Sequence, residues 1–126
     1  SLMRAVGLTQ WIDDEGLMDA VTALSGSGPA YFFLVMESMQ AAGEQMGLSA
    51  DTARLLTLQT ALGAARMALE SSASPAELRA RVTSPGGTTE RAIQALEESG
   101  LRELFIRALG AARDRSVELS AEMGDA

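Results

Sequence analysis

Apolar residues recur at helical spacing along most of the chain. Leu17, Met18, Val21 and Leu24 fall on one stripe, as an amphipathic helix requires. Asp13, Asp14 and Glu15 precede them, where carboxylates complement the positive end of a helix. Ser25-Gly26-Ser27-Gly28 breaks the pattern, and Pro29 suits the first turn of the next helix, where its missing N–H costs nothing. That second helix is predicted to run to about Met46, with Gly47 as its C-terminal cap. Ser49 or Asp51 caps a third, which continues to about Ser71. Ser74-Pro75-Ala76-Glu77 has the form of a capping box opening a short helix through about Val82. A helix from about Thr88 to Ser99 ends at Gly100. The last, from Leu101 to about Ala121, carries Leu104, Phe105, Ala108 and Ala112 on one face and has Gly110 inside it. The predicted fold class is all-α.

Two of these helices are apolar on more than one side. The second holds Tyr31, Phe32, Phe33, Leu34, Val35 and Met36 in succession. In the third, Leu55, Leu58, Leu62 and Leu69 make one face, and Leu56, Ala64 and Met67 make another. A helix apolar all round must be covered on most sides. Burial against a second copy of the chain supplies that cover; a single central helix ringed by its own neighbours is the alternative. At the N-terminus, Leu2 to Val6 reads as the tail of a helix. Leu8 to Ile12, with Trp11 and Ile12, reads as a short strand with nothing to pair with. It is either a remnant of a neighbouring domain or a plain extended arm.

Composition sharpens this picture. The chain has 126 residues, formal net charge -7, no cysteine and no histidine. One helical domain is expected. Disulfides, thiolate chemistry and histidine bases are excluded. No EF-hand-like spacing of carboxylates occurs, so no metal site is expected. The basic residues are scattered arginines, which argues against nucleic acid as a partner. No apolar run is long enough for a membrane span and no signal peptide opens the chain, so a soluble cytoplasmic protein is expected.

The candidate chemistry lies in Val82-Thr83-Ser84-Pro85-Gly86-Gly87-Thr88-Thr89. A glycine-rich turn that opens a helix exposes backbone N–H groups beside hydroxyls, an arrangement suited to a carboxylate or phosphate. An ordinary N-cap after a tight turn is the structural alternative.

This motif and Leu24-Ser25-Gly26-Ser27-Gly28-Pro29-Ala30-Tyr31 together resemble pyrroline-5-carboxylate reductase. So do Asp19-Ala20-Val21-Thr22-Ala23, Gln59-Thr60-Ala61-Leu62-Gly63-Ala64-Ala65 and Leu96-Glu97-Glu98-Ser99-Gly100. Members of that family reduce the cyclic imine 1-pyrroline-5-carboxylate to proline with NADPH or NADH. They join an N-terminal dinucleotide-binding domain of Rossmann type to a helical domain for dimerisation and substrate binding. The resemblance covers the helical part only, and no strand followed by Gly-x-Gly-x-x-Gly occurs. It implies that residues 1–13 are the remnant of the missing domain and residues 14–126 the helical domain, in a fragment inactive alone. It also implies an intertwined homodimer, which some members assemble into larger rings.

By the same resemblance, Ser84, Gly86, Gly87, Thr88 and Thr89 bind the substrate. Thr89 is the catalytic contact to the imine nitrogen, orienting it by hydrogen bonding while solvent supplies the proton. The alternative for Thr89 is a threonine bonding back to its own helix. Val82 touches the nicotinamide edge or is a core residue. Ser25 to Pro29 serves close packing near the site or contacts the nucleotide. Glu90 stands next to the motif, where a carboxylate would repel an anionic substrate unless its helix position turns it away. Competing functions are a non-catalytic dimerisation module and a dehydrogenase for another carboxylated or phosphorylated acid, with Arg81 and Arg91 flanking the turn.

Overall fold

The structure, a computed structural model, describes residues 15–124. All regular elements among them are helical: α1 Glu15–Val21, a π-helical turn Thr22–Gly26, α2 Gly28–Gln45, α3 Ala50–Glu70, α4 Pro75–Arg81, α5 Thr88–Glu98 and α6 Leu101–Gly124. The all-α expectation holds for these residues. The helix tail Leu2 to Val6, the strand Leu8 to Ile12 and the proposed domain remnant 1–13 lie outside them.

Element boundaries follow local chemistry. The first break is more specific than a simple stop. The backbone widens into a π turn, with Ser27 N–H donating to the Thr22 carbonyl at 2.9 Å. The Ser25 hydroxyl bonds back to the Val21 carbonyl at 3.0 Å. A hydroxyl returned to the preceding turn, followed by glycines, favours such local widening. Helix α2 ends in a paired cap: Leu48 N–H reaches the Gly43 carbonyl and Gly47 N–H the Glu44 carbonyl, at 3.1 and 3.0 Å. Gly47 adopts φ 106°, which glycine tolerates without steric cost. Ser49, not Asp51, caps α3, accepting from Thr52 N–H at 3.2 Å.

The contacts divide the chain into two units, Ser1–Pro29 with Glu103–Ala126, and Ala30–Arg102. In the first, the Ser116 hydroxyl of α6 donates to the Asp19 carboxylate of α1 at 2.7 Å, a half-buried bond. In the second, α2 approaches α3 closely at Gly43. A Cβ there would stand 3.4 Å from both the Ala53 Cβ and the Leu48 Cδ1. Met39, Gly43, Met46, Leu48, Ala53 and Leu56 help line an open, largely apolar groove at this junction.

Interior residues are scarce. Ala23 and Ala53 are the buried apolar side chains among the described residues, and Thr57 is buried with them. Phe32, Phe33 and Leu34 on α2 are 66 %, 61 % and 64 % exposed. Leu62 and Leu69 on α3 are also exposed. Soluble single chains rarely leave consecutive large apolar side chains in water. The helices that read as apolar all round are thus uncovered by their own chain, contrary to the alternative of one helix ringed by its neighbours.

Candidate functional site: the turn before helix α5

Helix α4 ends at Val82, and the chain then makes a compact turn before α5. The Gly87 N–H donates to the Ser84 carbonyl at 3.0 Å, closing Ser84-Pro85-Gly86-Gly87. Proline presets the second position of such a turn, and the third needs positive φ. Gly86 supplies it at φ 73°. Gly87 is the N-cap of α5 and has extended backbone. A Cβ at Gly87 would lie 3.2 Å from the Ser84 carbonyl oxygen, so a side chain there would crowd the turn.

The turn satisfies some of its own donors. The Gly86 N–H donates to Glu90 Oε1 at 3.0 Å, and Gly87 N–H is taken by Ser84. Expected as anion ligands, these two amides are engaged internally. The reason is geometric: the turn needs one for closure, and the Glu90 side chain can reach the other from the first turn of α5. The first amides of a helix have no intrahelical acceptor, which leaves those of Thr88 and Thr89 at the tip of α5. Gly87 gives them no side-chain cap.

The hydroxyls add to this. Ser25, Ser38 and Thr83 bond back to carbonyls four residues earlier, at 3.0, 2.9 and 2.6 Å. Among the described residues, Ser84, Thr88 and Thr89 have no hydrogen-bond partner for their side chains. For Thr89, four residues earlier is Pro85, which belongs to the turn rather than to a helix. Back-bonding, the ordinary alternative for this threonine, does not occur. Thr89 is half-buried, whereas Ser84, Thr88 and Val82 are exposed. Val82 is 58 % exposed in this chain. The tip of α5 thus brings unengaged amides and hydroxyls together within a short stretch of backbone. It can accept a carboxylate and offer a hydroxyl to a neighbouring polar atom.

Residues 15–119 match the family described as pyrroline-5-carboxylate reductase dimerisation. The chain belongs to that family. Pyrroline-5-carboxylate reductase of Pseudomonas aeruginosa is 60 % identical over 123 residues, 98 % of this chain and 45 % of that protein. The solved pyrroline-5-carboxylate reductase of Coxiella burnetii superposes with a TM-score of 0.87 at 61 % identity, over 94 % of this chain and 44 % of that one. A Plasmodium falciparum pyrroline carboxylate reductase structure with NADP bound gives a TM-score of 0.79 at 37 % identity, over 82 % of this chain and 39 % of that one. The chain therefore spans a little under half the length of the reductases it matches.

A second depression, not foreseen from the residue pattern, lies along α5 and the start of α6. Arg79, Ile93, Leu96, Glu97, Leu101 and Arg102 line it, with a volume of about 220 Å³. Arg102 binds both oxygens of Glu97, at 2.8 and 3.0 Å. That bond holds the Glu97 carboxyl below the usual carboxylate range and raises the Arg102 guanidinium. Here the charges satisfy one another. No cluster suited to a metal ion occurs among the described residues, and none of their helices is long and apolar enough to cross a membrane.

Proposed function

We propose that this chain is the helical dimerisation and substrate-binding part of a pyrroline-5-carboxylate reductase, completed by a dinucleotide-binding domain. The observation that carries the reading is the open tip of α5. The substrate carboxylate is held by the Thr88 and Thr89 amides, with the Ser84 hydroxyl as a further donor. Helix-tip electrostatics favour an anion there by roughly 0.3–1 kcal/mol when exposed, and more once the site closes. The Thr89 hydroxyl hydrogen-bonds the imine nitrogen and sets the ring's orientation. Threonine is a poor acid and no base stands hydrogen-bonded to Thr89, so the proton comes from solvent.

NADPH or NADH supplies the hydride to the imine carbon when bound. This chain lacks a Gly-x-Gly-x-x-Gly turn, so its own contribution to that cofactor is the exposed edge at Val82. The complete protein should reduce pyrroline-5-carboxylate with NADPH, and the 126-residue chain alone should not, because hydride donor and imine must be held together. Absence of this activity in the complete protein would refute the assignment.

The same reading makes the exposed faces of α2 and α3 a homodimer interface. An interface of about 1,200–2,000 Å² is enough for a stable pair. Sedimentation at micromolar concentration should give a dimer; a monomer would contradict the interface.

A further inference from the structure

In a capping box, the acidic residue at the third position of a helix reaches back to the N–H of its own N-cap. Glu77 does so in α4, accepting from Ser74 N–H at 3.1 Å. Glu90 holds the same position in α5, but the N–H of its N-cap, Gly87, already donates to the Ser84 carbonyl. Its carboxylate accepts instead from Gly86 N–H, one residue further back, at 3.0 Å. Gly86 is also the residue whose φ of 73° makes the turn possible. One side chain therefore ties the conformationally freest point of the turn to the first turn of the helix that it precedes.

We propose that Glu90 is a positioning residue of the substrate site. Its carboxylate locks Gly86, and through it the Ser84–Gly87 turn, before substrate arrives. A site ordered in advance does not lose binding energy to ordering its loop. The bond also removes Gly86 N–H from the groups available to an anion, so the carboxylate is received at the Thr88 and Thr89 amides. Locking a turn acts on substrate and transition state alike, so its loss should raise KM more than it lowers kcat. This role rests on the assignment of the α5 tip as the substrate-carboxylate site.

The test uses the complete protein and two variants. Glu90→Ala should raise KM for pyrroline-5-carboxylate by about two- to tenfold, the range for one lost hydrogen bond, with KM for NADPH unchanged. Glu90→Gln keeps an acceptor oxygen and should restore the parental KM. In parallel, amide exchange at Gly86, followed by NMR in this chain, should quicken in Glu90→Ala and recover in Glu90→Gln. An unchanged KM in Glu90→Ala would overturn the proposal, even if Gly86 exchange quickened. So would a Glu90→Gln variant as impaired as Glu90→Ala, since charge rather than the bond would then be responsible. A parent without reductase activity would overturn the substrate assignment, and the role of Glu90 with it. Gly86 exchange would then still report whether the bond exists, which keeps the two failures apart.

Discussion

Helices α4 and α5 follow one another closely, yet their N-termini are finished in opposite ways. At α4, the Ser74 hydroxyl accepts from Glu77 N–H, and the Glu77 carboxylate accepts from Ser74 N–H, both at 3.1 Å. Pro75 occupies the first turn. This end is closed by its own side chains and has little to offer a ligand. At α5, glycine replaces the capping side chain, and the acidic residue is diverted to Gly86. Two threonines then stand on the tip with their hydroxyls unengaged. Both ends face the same requirement, that the first amides of a helix find acceptors. One meets it internally, and the other leaves part of it open, where the proposed substrate carboxylate would bind.

Exchanging or deleting these features should separate binding from stability. The largest effect is expected at Thr89. In the complete protein, Thr89→Ala should lower kcat/KM on the order of ten- to a hundred-and-fifty-fold, as for a lost hydrogen bond of roughly 1.5–3 kcal/mol to a charged or charging group. Affinity for NADPH should hardly change, and Thr89→Ser should retain most activity. Thr22→Ala, in the π turn, is the comparison for general damage, with folding checked by circular dichroism. Parental kinetics in Thr89→Ala would leave substrate placement to the amides and Ser84.

Ser74→Ala should do the reverse at α4. It removes the cap and should cost about 0.5–2 kcal/mol of stability in denaturant unfolding, with the kinetics of the folded enzyme intact. A kinetic loss matching that of Thr89→Ala would erase the distinction between the two ends.

A smaller effect concerns pH. The backbone N–H of Ser74 holds the Glu77 carboxyl below its ordinary value, helped by the Ser74 side chain. A folded-state pKa that is depressed stabilises the fold above the unfolded value, and this contribution is lost as pH falls through the folded value. Glu77→Gln should therefore be less stable than the parent at neutral pH, and the gap should close in acid below the carboxylate range. A gap that widens on acidification would contradict the capping role of this carboxylate.

The contrast between the two ends was only partly legible in the sequence. Ser74-Pro75-Ala76-Glu77 announces its cap because every partner lies within a few residues of local backbone. The helix boundaries at Gly47, Ser49 and Gly100 were readable for the same reason. The π turn was not, since a serine–glycine cluster signals a break without specifying the hydrogen-bond period across it. At the glycine turn the residue types pointed to an anion site, but not to which amides serve it. That depended on the turn closing between Ser84 and Gly87, which displaced Glu90 onto Gly86. The backbone donor that Glu90 finds, the Gly86 N–H, is a partner that spacing alone does not reveal. The succession of Phe32, Phe33 and Leu34 on one helix showed a need for cover on several sides, but not whether the chain itself or a second copy supplies it; their exposure decides against cover from within.

The most direct test of the open helix tip is a crystal structure of the complete protein with L-proline bound. The account predicts the proline carboxylate within about 2.7–3.2 Å of the Thr88 and Thr89 amide nitrogens, with the ring nitrogen at the Thr89 hydroxyl and the α4 start unoccupied. A carboxylate bound away from the α5 tip, or a Thr89 hydroxyl pointing away from the ring, would contradict it.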